Sequence, residues 1–327
     1  MKILHFFSSK VYSGLERHVE ELAFEQSKND DVLVVGPITL KEHFRSAYKA
    51  INTNQWRFSP ILNFQLRKVI NEYQPDIVHT HAYKTTDLIA KQNNKKFFHV
   101  ATIHGTKKRI KAFEKAEFIF GASKRSLENI KNPNNLVLEN WVDESRFENF
   151  NKSIADRYIY VGRLEQVKNP MRLLKAWKKI KHKLDVYGDG PLRDHLLKYI
   201  KQNNLDDRVC FMGEERDVKK IYRNAKAVLI SSDREGSPKV LFESLFCNIP
   251  VLSTKTGIMP DMLPEACVSE ANDDEFAELL VKWIDQPDLL TREQHHLYSE
   301  VKQKNTLSIQ SNIVLKKYQE ISSKASR

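Results

Sequence analysis

Short runs of apolar residues alternate along the chain with longer segments in which apolar positions recur every three or four residues. The short runs predict buried β-strands, and the longer segments predict amphipathic helices. In the first half the predicted strands are 2–7, 31–35, 76–80, 98–103, 117–122 and 136–139, and the clearest helices are 15–26 and 64–73. In the second half the predicted strands are 157–162, 183–188, 208–213, 226–231, 249–254 and 266–269, and the helices are 170–182, 191–203, 215–224, 238–247 and 273–285.

Strands separated by helices are typical of parallel sheets that are covered on both faces. Because the pattern occurs in both halves, the sequence predicts two doubly wound, Rossmann-like α/β domains. The polar stretch 148–156 has no periodicity and indicates the boundary, so the expected domains are 1–150 and 151–305. The remaining segment, 306–327, is expected to contribute a C-terminal amphipathic helix that packs back on the N-terminal domain.

The composition is that of an ordinary globular protein, with 41% hydrophobic and 29% charged residues, which excludes a disordered or collagen-like chain. No run reaches the ~18 apolar residues that span a bilayer, and the first residues, MKILHFFSSK, are typical of a strand rather than a signal peptide. The cysteines Cys210, Cys247 and Cys267 lie far apart and form no disulfide or zinc pattern. We therefore expect a cytoplasmic protein.

The formal net charge of +11 bears on the class of partner. A basic surface attracts nucleic acid, anionic lipid or phosphorylated ligands. The chain has no nucleic-acid-binding motif, so the excess charge favours a membrane surface or a phosphate ligand. A charge that serves solubility alone is the alternative.

The segment EGSPKVLFE (235–243) follows a predicted strand and opens a predicted helix. Gly236 permits a tight turn and Pro238 suits the first turn of a helix, so the helix would direct its free N–H groups and positive dipole end at an anion. Glu243, about a turn and a half inside that helix, can hold the hydroxyls of a ribose. Taken alone, an ordinary loop with two surface carboxylates, Glu235 and Glu243, explains the segment equally well.

The segment GRLEQVKNP (162–170) also begins at a predicted strand end. Gly162 allows the turn, and Arg163 and Lys168 can reach a shared point. Two cations there would neutralise a diphosphate leaving group without a metal ion. A solvated loop with two surface charges is the alternative.

A third segment, YSGLERHV, follows the first predicted strand. Ser13 and Glu16 have the spacing of a capping box at a helix start, and Gly14 leaves backbone N–H groups accessible. A plain helix cap explains Ser13 and Glu16 fully.

A fourth segment, TIHGT, places His104 and Gly105 at another strand end. A structural histidine is the alternative reading of His104. His79 and His81 also end a predicted strand, but the spacing of a third histidine or carboxylate in known metal sites is missing. We therefore expect no metal site.

Together these motifs resemble the family-4 glycosyltransferases, which have the two-domain GT-B fold and retain anomeric configuration. The matching segments are YSGLERHV, TIHG, the pair Ser123–Lys124, NWVDESRF, GRLEQVKNP, YGDGP and the E-x7-E segment EGSPKVLFE. Their order and spacing are far more specific than any single motif. The resemblance implies two doubly wound parallel-sheet domains that face a cleft. This chain departs from the family in having Ser13–Gly14 for a Gly–Gly pair and Ser237–Pro238 after Glu235–Gly236.

The resemblance also implies residue roles. Arg163 and Lys168 would bind the donor diphosphate, and Glu243 the ribose hydroxyls. Glu235 would contact the transferred sugar, and His104 would lie beside the reacting carbon as a positional or electrostatic group. The implied catalytic residues are His104, Glu235, Arg163 and Lys168. The implied donor-binding residues are Gly14, Gly162, Arg163, Lys168, Glu214, Glu235, Gly236, Ser237 and Glu243, with Glu214 near the base.

The acceptor is expected on the N-terminal domain. Its implied contacts are Ser13, Glu16, Lys107, Lys108 and Arg109. The segment 37–68 adds Trp56, Phe58, Phe64 and several cations, a combination that suits a lipid-anchored acceptor at an anionic membrane surface.

The expected activity is therefore transfer from a nucleotide sugar, a UDP-sugar by resemblance, to a lipid-linked or oligosaccharide acceptor of lipopolysaccharide, O-antigen or capsule. We expect no cofactor, no metal and no nucleic acid, with the protein at the inner face of the cytoplasmic membrane. A nucleotide-sugar epimerase or phosphorylase on the same fold is the alternative enzyme. The non-enzymatic alternative is a basic scaffold or nucleic-acid-binding protein. It leaves Glu235, Glu243, Arg163 and Lys168 without a role.

Overall fold

The computed structural model describes residues 1–56, 59–93, 95–105 and 109–324 of the chain. Contacts divide the chain into two units. Unit 1 consists of Met1–Asn140 together with the C-terminal segment from Leu307, and unit 2 consists of Trp141–Thr306.

Unit 1 is built on a parallel sheet. In chain order its first elements are β1 (Lys2–Phe6), α1 (Gly14–Gln26), β2 (Asp31–Gly36), β3 (Ala47–Ala50), α2 (Pro60–Tyr73), β4 (Ile77–His81), α3 (Tyr83–Ala90), β5 (Phe98–Ile103), β6 (Phe118–Gly121), α4 (Lys124–Leu127) and β7 (Asn135–Val137). The strands lie in the order β3-β2-β1-β4-β5-β6-β7. The neighbours β1 and β4 lead to opposite halves of the sheet, so their carboxyl ends mark the switch point at which doubly wound sheets bind ligands.

Unit 2 repeats this plan with six strands. Its elements are β8 (Arg157–Val161), α5 (Pro170–Trp177), β9 (Lys183–Tyr187), α6 (Arg193–Gln202), β10 (Val209–Gly213), α7 (Val218–Tyr222), β11 (Ala225–Ile230), α8 (Lys239–Phe246), β12 (Val251–Thr254), α9 (Met259–Met262), β13 (Val268–Ser269), α10 (Asp273–Trp283), α11 (Pro287–Glu293) and α12 (His295–Lys304). The parallel order is β10-β9-β8-β11-β12-β13. The predicted fold class, two doubly wound parallel-sheet domains, is confirmed.

The chain ends with α13 (Leu307–Lys324), which belongs to unit 1 and packs on α1. Tyr318 of this helix is fully buried, and its hydroxyl lies 2.5 Å from Nδ1 of His79 in β4. The helix is therefore part of the core of unit 1.

The change from unit 1 to unit 2 comes earlier than the sequence predicts. It falls between Asn140 and Trp141, not at residue 150, because apolar side chains of this stretch belong to unit 2. Val142 and Phe147 are buried in the core of unit 2, and Trp141 is fully buried. The predicted boundary therefore lies inside unit 2.

The sequence misses several elements, of which β3 is an example. Its residues Ala47–Ala50 are partly or fully exposed, so they lack the apolar run that marks a buried strand. Within the described ranges, none of the helices combines the length and the apolar content that crossing a bilayer requires.

Candidate functional site

Two loops singled out in the sequence meet at the switch point of the unit-2 sheet. β8 and β11 pair in parallel, and the loops that follow their carboxyl ends are hydrogen-bonded to each other. The backbone N–H of Asp233 donates to the carbonyl oxygen of Val167 at 2.9 Å. The hydroxyl of Ser231 donates to the carbonyl oxygen of Asn169 at 2.9 Å. The segments GRLEQVKNP and EGSPKVLFE therefore form one site, as parallel strand ends require.

Lys168 and Glu235 form an ion pair across these loops. The Lys168 Nζ lies 2.7 Å from Oε1 and 2.8 Å from Oε2 of Glu235. The hydroxyl of Ser232 donates to Oε1 at 2.6 Å. Glu235 is 8% exposed, whereas the Lys168 side chain is 27% exposed. Lys168 thus has a carboxylate partner, which the sequence analysis did not predict, and still reaches solvent.

Arg163 lies in the same loop with a different partner. Its Nη1 is 3.4 Å from Oε2 of Glu165, and its side chain is 40% exposed. The buried hydroxyl of Tyr160 donates to the Arg163 carbonyl oxygen at 3.1 Å. Burial, together with the neighbouring charge of Glu235, raises the pKa of that Tyr160 hydroxyl. The backbone of Arg163 is therefore fixed, while its guanidinium is accessible to a ligand.

The YGDGP segment forms a turn that closes over the loop after β8. Gly188 and Gly190 have φ of +126° and +156°, a region that L side chains rarely adopt. A Cβ atom at Gly188 would lie 2.1 Å from the Gly162 carbonyl oxygen. The Leu164 backbone N–H donates to the carbonyl oxygen of Asp189 at 2.9 Å. The motif thus positions the loop that carries Arg163.

A second glycine holds the loop that carries Glu235. Gly257 has φ of +58°, and a Cβ atom there would lie 2.2 Å from the Gly236 carbonyl oxygen. The backbone N–H of Ile258 donates to that same oxygen at 2.9 Å. Ser237 is 5% exposed. This loop is therefore packed from behind by the segment after β12.

Helix α8 begins directly after this loop. Its N-cap is Pro238, whose side chain makes no capping hydrogen bond, and the Leu241 backbone N–H donates to the Pro238 carbonyl oxygen at 3.2 Å. The positive dipole end of a helix favours a nearby anion. Lys239 is 6% exposed, and its Nζ lies 4.6 Å from the Trp141 ring centroid. Glu243 is 3% exposed and accepts a hydrogen bond from the Tyr222 hydroxyl at 2.9 Å. The ribose-binding role of Glu243 stays a prediction.

Glu214 lies at the end of β10, an edge strand that is two strands from β8. Its side chain is exposed. The preceding Gly213 has φ of +71°, and its carbonyl oxygen accepts a hydrogen bond from the Gly188 backbone N–H at 2.7 Å. The role of Glu214 near the base stays a prediction.

Sequence reasoning missed Arg172 of α5, a buried cation that ties the site together. Its guanidinium Nη2 lies 2.6 Å from Oδ1 of Asp233 and donates to the Ala271 carbonyl oxygen at 2.7 Å. Nη1 donates to the carbonyl oxygen of Ser231 at 2.8 Å, and Nε lies 3.3 Å from Oδ1 of Asp273. An arginine among the apolar positions of α5 was the available signal. Arg172 therefore joins α5 to the strand ends behind the site.

In unit 1, the predicted capping pair is a helix cap. Oε2 of Glu16 accepts hydrogen bonds from the Ser13 backbone N–H at 2.9 Å and from its hydroxyl at 2.7 Å. A Cβ atom at Gly14 would meet no atom within 4 Å. Arg109 is exposed, and the predicted acceptor residues Lys107 and Lys108 lie outside the described residues.

A chain of histidines lies below the carboxyl ends of β1 and β4. Nε2 of His104 lies 3.2 Å from Nδ1 of His81. Nε2 of His81 lies 3.1 Å from Nδ1 of His5, and Nε2 of His5 lies 2.8 Å from Oε1 of Gln26. Burial lowers the pKa of His5 to about 4 and lowers the pKa of His81 well below its ordinary value. Both imidazoles are therefore neutral near pH 7.

Two further histidines surround this chain. His79 has its ring nitrogens 2.5 Å from the Tyr318 hydroxyl and 2.6 Å from the Thr102 hydroxyl. His18 of α1 packs edge-on against the His104 ring, with 4.6 Å between the ring centroids. The sequence analysis named His79, His81 and His104 but missed His5 and His18.

These histidines also correct the spacing argument against a metal site. Third histidines do come together with the predicted ones, because β1 and α1 supply them. Ring nitrogens of His5, His79 and His81, and those of His18, His81 and His104, lie within 4.8 Å of one another in each group. Sequence spacing could not predict these groups, because their members come from separate elements.

Comparison with known protein families identifies the class of protein. The family model of the glycosyl transferases group 1 matches residues 142–304, and that of glycosyltransferase family 4 matches residues 12–133. The two matches lie in unit 2 and unit 1 respectively and together cover most of the chain. The chain belongs to the family-4 glycosyltransferases, with the GT-B fold. The resemblance carried by the sequence motifs is confirmed for family and fold.

Two curated relatives come from Campylobacter jejuni. One is N-acetylgalactosamine-N,N'-diacetylbacillosaminyl-diphospho-undecaprenol 4-alpha-N-acetylgalactosaminyltransferase, to which the chain is 31% identical over 157 residues. This alignment covers 43% of this chain and 42% of that protein. A second relative is GalNAc-alpha-(1->4)-GalNAc-alpha-(1->3)-diNAcBac-PP-undecaprenol alpha-1,4-N-acetyl-D-galactosaminyltransferase, to which the chain is 25% identical over 292 residues. This alignment covers 78% of this chain and 79% of that protein. The chain spans less than half the length of the curated relatives that it matches at 28–32% identity.

Solved structures share the fold across the chain. The crystal structure of HepE from Anabaena in complex with UDP has a TM-score of 0.82 at 16% identity, and the match covers 98% of this chain and 100% of that chain. At this identity the likeness shows the fold alone.

Proposed function

We propose that the protein transfers a sugar from a UDP-sugar to a lipid-linked glycan acceptor, with retention of anomeric configuration and without a metal ion. One observation carries the donor half of this proposal. Two loops that meet at the switch point of unit 2 carry Arg163 and the Lys168–Glu235 ion pair, and α8 begins directly after the second loop. The UDP named with the HepE structure and the undecaprenol-linked substrates named for the Campylobacter relatives support the choice of donor and acceptor.

The proposed chemistry follows from charge. Cleavage of the bond between the anomeric carbon and the diphosphate leaves negative charge on phosphate. Lys168, Arg163 and the positive dipole end of α8 stabilise that charge, and donors fixed in advance each contribute roughly 2.7–4 kcal/mol to such a transition state. Glu235 contacts the transferred sugar, while its bond to Lys168 keeps both side chains oriented.

The donor site is tested by thermal shift with a panel of UDP-, GDP- and ADP-sugars, with and without EDTA. We expect one UDP-sugar to raise the Tm of the wild-type protein whether EDTA is present or not. Lys168→Ala and Glu243→Ala should lose this shift, and Lys198→Ala, at an exposed position of α6, should keep it. A shift that requires a divalent cation would contradict the metal-independent part of the proposal.

The acceptor half rests on the exposed face of α2 and the segment before it. Trp56, Ile61 and Phe64 are 71%, 60% and 69% exposed, and Arg67 and Lys68 on the same helix are also exposed. Exposed aromatic and aliphatic side chains beside cations suit the interface of an anionic membrane. Phe58, which the sequence analysis included, lies outside the described residues.

Membrane binding is tested by vesicle flotation. We expect the wild-type protein to float with anionic phosphatidylglycerol vesicles at low salt and to stay unbound with phosphatidylcholine vesicles. Phe64→Ser should reduce binding severalfold, whereas Ile154→Ser, at a position 90% exposed in unit 2, should not. Equal flotation of both variants, or no flotation of the wild type, would contradict this part of the proposal.

A further inference from the structure

The histidine chain of unit 1 ends on a buried amide. Gln26 is the last residue of α1, and its side-chain oxygen is 2.8 Å from Nε2 of His5. From there the hydrogen bonds run through His81 to His104 at 3.1 and 3.2 Å. Gln26, His5 and His81 are each fully buried, whereas His104 is partly exposed. One end of the chain is therefore closed and the other reaches the surface of unit 1.

The orientation of the Gln26 amide, with its oxygen toward Nε2 of His5, sets the direction of every hydrogen bond in the chain. A neutral imidazole has one donor nitrogen and one acceptor nitrogen. Because the Gln26 oxygen accepts, His5 donates through Nε2 and accepts through Nδ1. His81 then donates through Nε2 to His5 and accepts through Nδ1. That acceptor requires a proton on Nε2 of His104, so Nδ1 of His104 carries no proton and is a hydrogen-bond acceptor.

We propose that His5 and His81 are positioning residues that hold His104 in the Nε2–H tautomer, so that its Nδ1 accepts a hydrogen bond from a sugar hydroxyl of the substrate. This inference rests on the proposed function for its substrate, but the tautomer itself follows from the hydrogen bonds of unit 1. Histidines at functional sites are commonly oriented by the group bound to their second ring nitrogen.

The surroundings of His104 support a fixed ring. The ring of His18 meets the His104 ring edge-on at an interplanar angle of 87°. Nδ1 of His18 lies 2.9 Å from Oδ1 of Asn140, which anchors that ring in turn. The plane of His104 is therefore held by His18, while its tautomer is set through His81.

The same nitrogens could instead ligate a divalent cation. Both ring nitrogens of His81 lie at hydrogen-bond distance from another imidazole, so a metal ion at His81 would have to displace one of these bonds. The geometry therefore favours the hydrogen-bonded chain over a metal site. The experiment below also measures metal binding, which would contradict the proposal.

The tautomer is measured directly by long-range ¹H–¹⁵N correlation of ¹⁵N-histidine-labelled protein, with His104→Gln used to assign the signal. We expect Nε2–H and an unprotonated Nδ1 for His104 in the wild type. His81→Gln should keep this state, because its amide can donate to His5 and accept from His104. His81→Leu should give a mixture of tautomers. His99→Gln, a buried histidine of β5 outside the chain, is the matched control and should change nothing at His104.

Gln26→Leu provides a second test if His81→Leu does not fold. It removes the acceptor that sets the direction of the chain and should also give a mixture of tautomers at His104. An Nδ1–H tautomer of wild-type His104 would overturn the proposal, as would an unchanged signal in both leucine variants. Stoichiometric Zn²⁺ binding that is lost in His81→Leu would also overturn the proposal, because it would show that the ring nitrogens of the histidine chain are metal ligands.

Kinetics then connect the tautomer to turnover. We expect His81→Leu to lower kcat on the order of 100-fold, with the KM for the donor unchanged, and His81→Gln to recover most of that loss. Equal kcat for the two variants would overturn the positioning role. Failure of the proposed function would instead appear as absence of transfer in the wild type, and the tautomer result would stand independently.

Discussion

Arg172 shows what a single buried charge does for this fold. Its side chain is 5% exposed, and its donors are shared among two carboxylates and two carbonyl oxygens. Arginine suits this position because its planar fork can satisfy several acceptors at once. A cation at this depth is stable only while these partners are present.

Arg172→Leu should therefore lower the free energy of unfolding by about 3 kcal/mol, because four acceptors lose their donor. Arg172→Lys should recover only part of the loss, since one ammonium cannot reach all four. Urea denaturation measures both variants. The control is Arg193→Leu, at a side chain 51% exposed and 4.0 Å from Asp189, which should change stability by less than about 1 kcal/mol. Equal effects at the two arginines would contradict the structural role of Arg172.

Variants of the Lys168–Glu235 ion pair should show separately what the pair contributes to stability and what Lys168 contributes to turnover. Lys168→Ala leaves a carboxylate 8% exposed without its opposing charge, so we expect a lower Tm together with a kcat reduced about 10²- to 10³-fold. The double variant Lys168→Ala/Glu235→Gln should regain the Tm but not the kcat. Calorimetry and a transfer assay measure the two quantities. Recovery of kcat in the double variant would show that Lys168 acts only through Glu235.

At the scale of elements, the strand ends explain which parts of the site the sequence could predict. The sequence assigned Gly162, Lys168, Glu235 and Gly236 to one candidate site because each motif follows an apolar run, and parallel strands end at one edge of a sheet. The binding roles of these residues stay predictions. The histidine chain was not found, because it requires that β1 and β4 be neighbours. That adjacency is a property of the strand order and leaves no local signal in either segment.

The missed elements have a related cause. β3 pairs only at the edge of its sheet, beside β2, so it is not selected for a continuous apolar run. α11 and α12 follow the last strand of unit 2, where the alternation of strands and helices that guided the prediction has ended. For these elements the apolar pattern and the strand–helix alternation gave no signal.

The turn after β12 should be sensitive to one methyl group. Gly257→Ala would place a Cβ atom 2.2 Å from the Gly236 carbonyl oxygen at a φ of +58°, so we expect a loss of stability of about 1–3 kcal/mol and weaker donor binding. Thermal unfolding and the donor-induced shift measure both effects. Gly14→Ala, where a Cβ atom meets nothing within 4 Å, should not lower the Tm. A similar Tm for the two variants would contradict this packing.

At the scale of the whole molecule, buried histidines make stability depend on pH. His99 of β5 is fully buried, and burial lowers its pKa to about 3. Above the ordinary pKa of about 6.5, the imidazole is neutral in the folded and the unfolded chain. As the pH falls below that value, the unfolded chain gains a proton that the folded chain does not accept, and stability is lost down to about pH 3.

His99→Gln should therefore reduce the pH dependence of unfolding. Between pH 7.5 and pH 5 we expect the wild type to lose about 2 kcal/mol more than the variant, with other buried histidines contributing equally to both proteins. Urea denaturation at the two pH values measures the difference. His295→Gln, at an exposed position of α12, is the control and should behave as the wild type. Parallel pH profiles for wild type and His99→Gln would contradict the burial effect.

Helix α13 completes unit 1, whereas unit 2 consists of Trp141–Thr306 alone. Although synthesis of unit 1 begins first, unit 2 is therefore the first of the two units to be fully synthesised. Unit 2 is one uninterrupted stretch and can fold as soon as it has emerged. Unit 1 can bury Tyr318 against His79 only after synthesis has passed through all of unit 2. The later half of the polypeptide is thus the first that can be complete, and a nascent chain stalled before Leu307 would leave His79 without its Tyr318 partner.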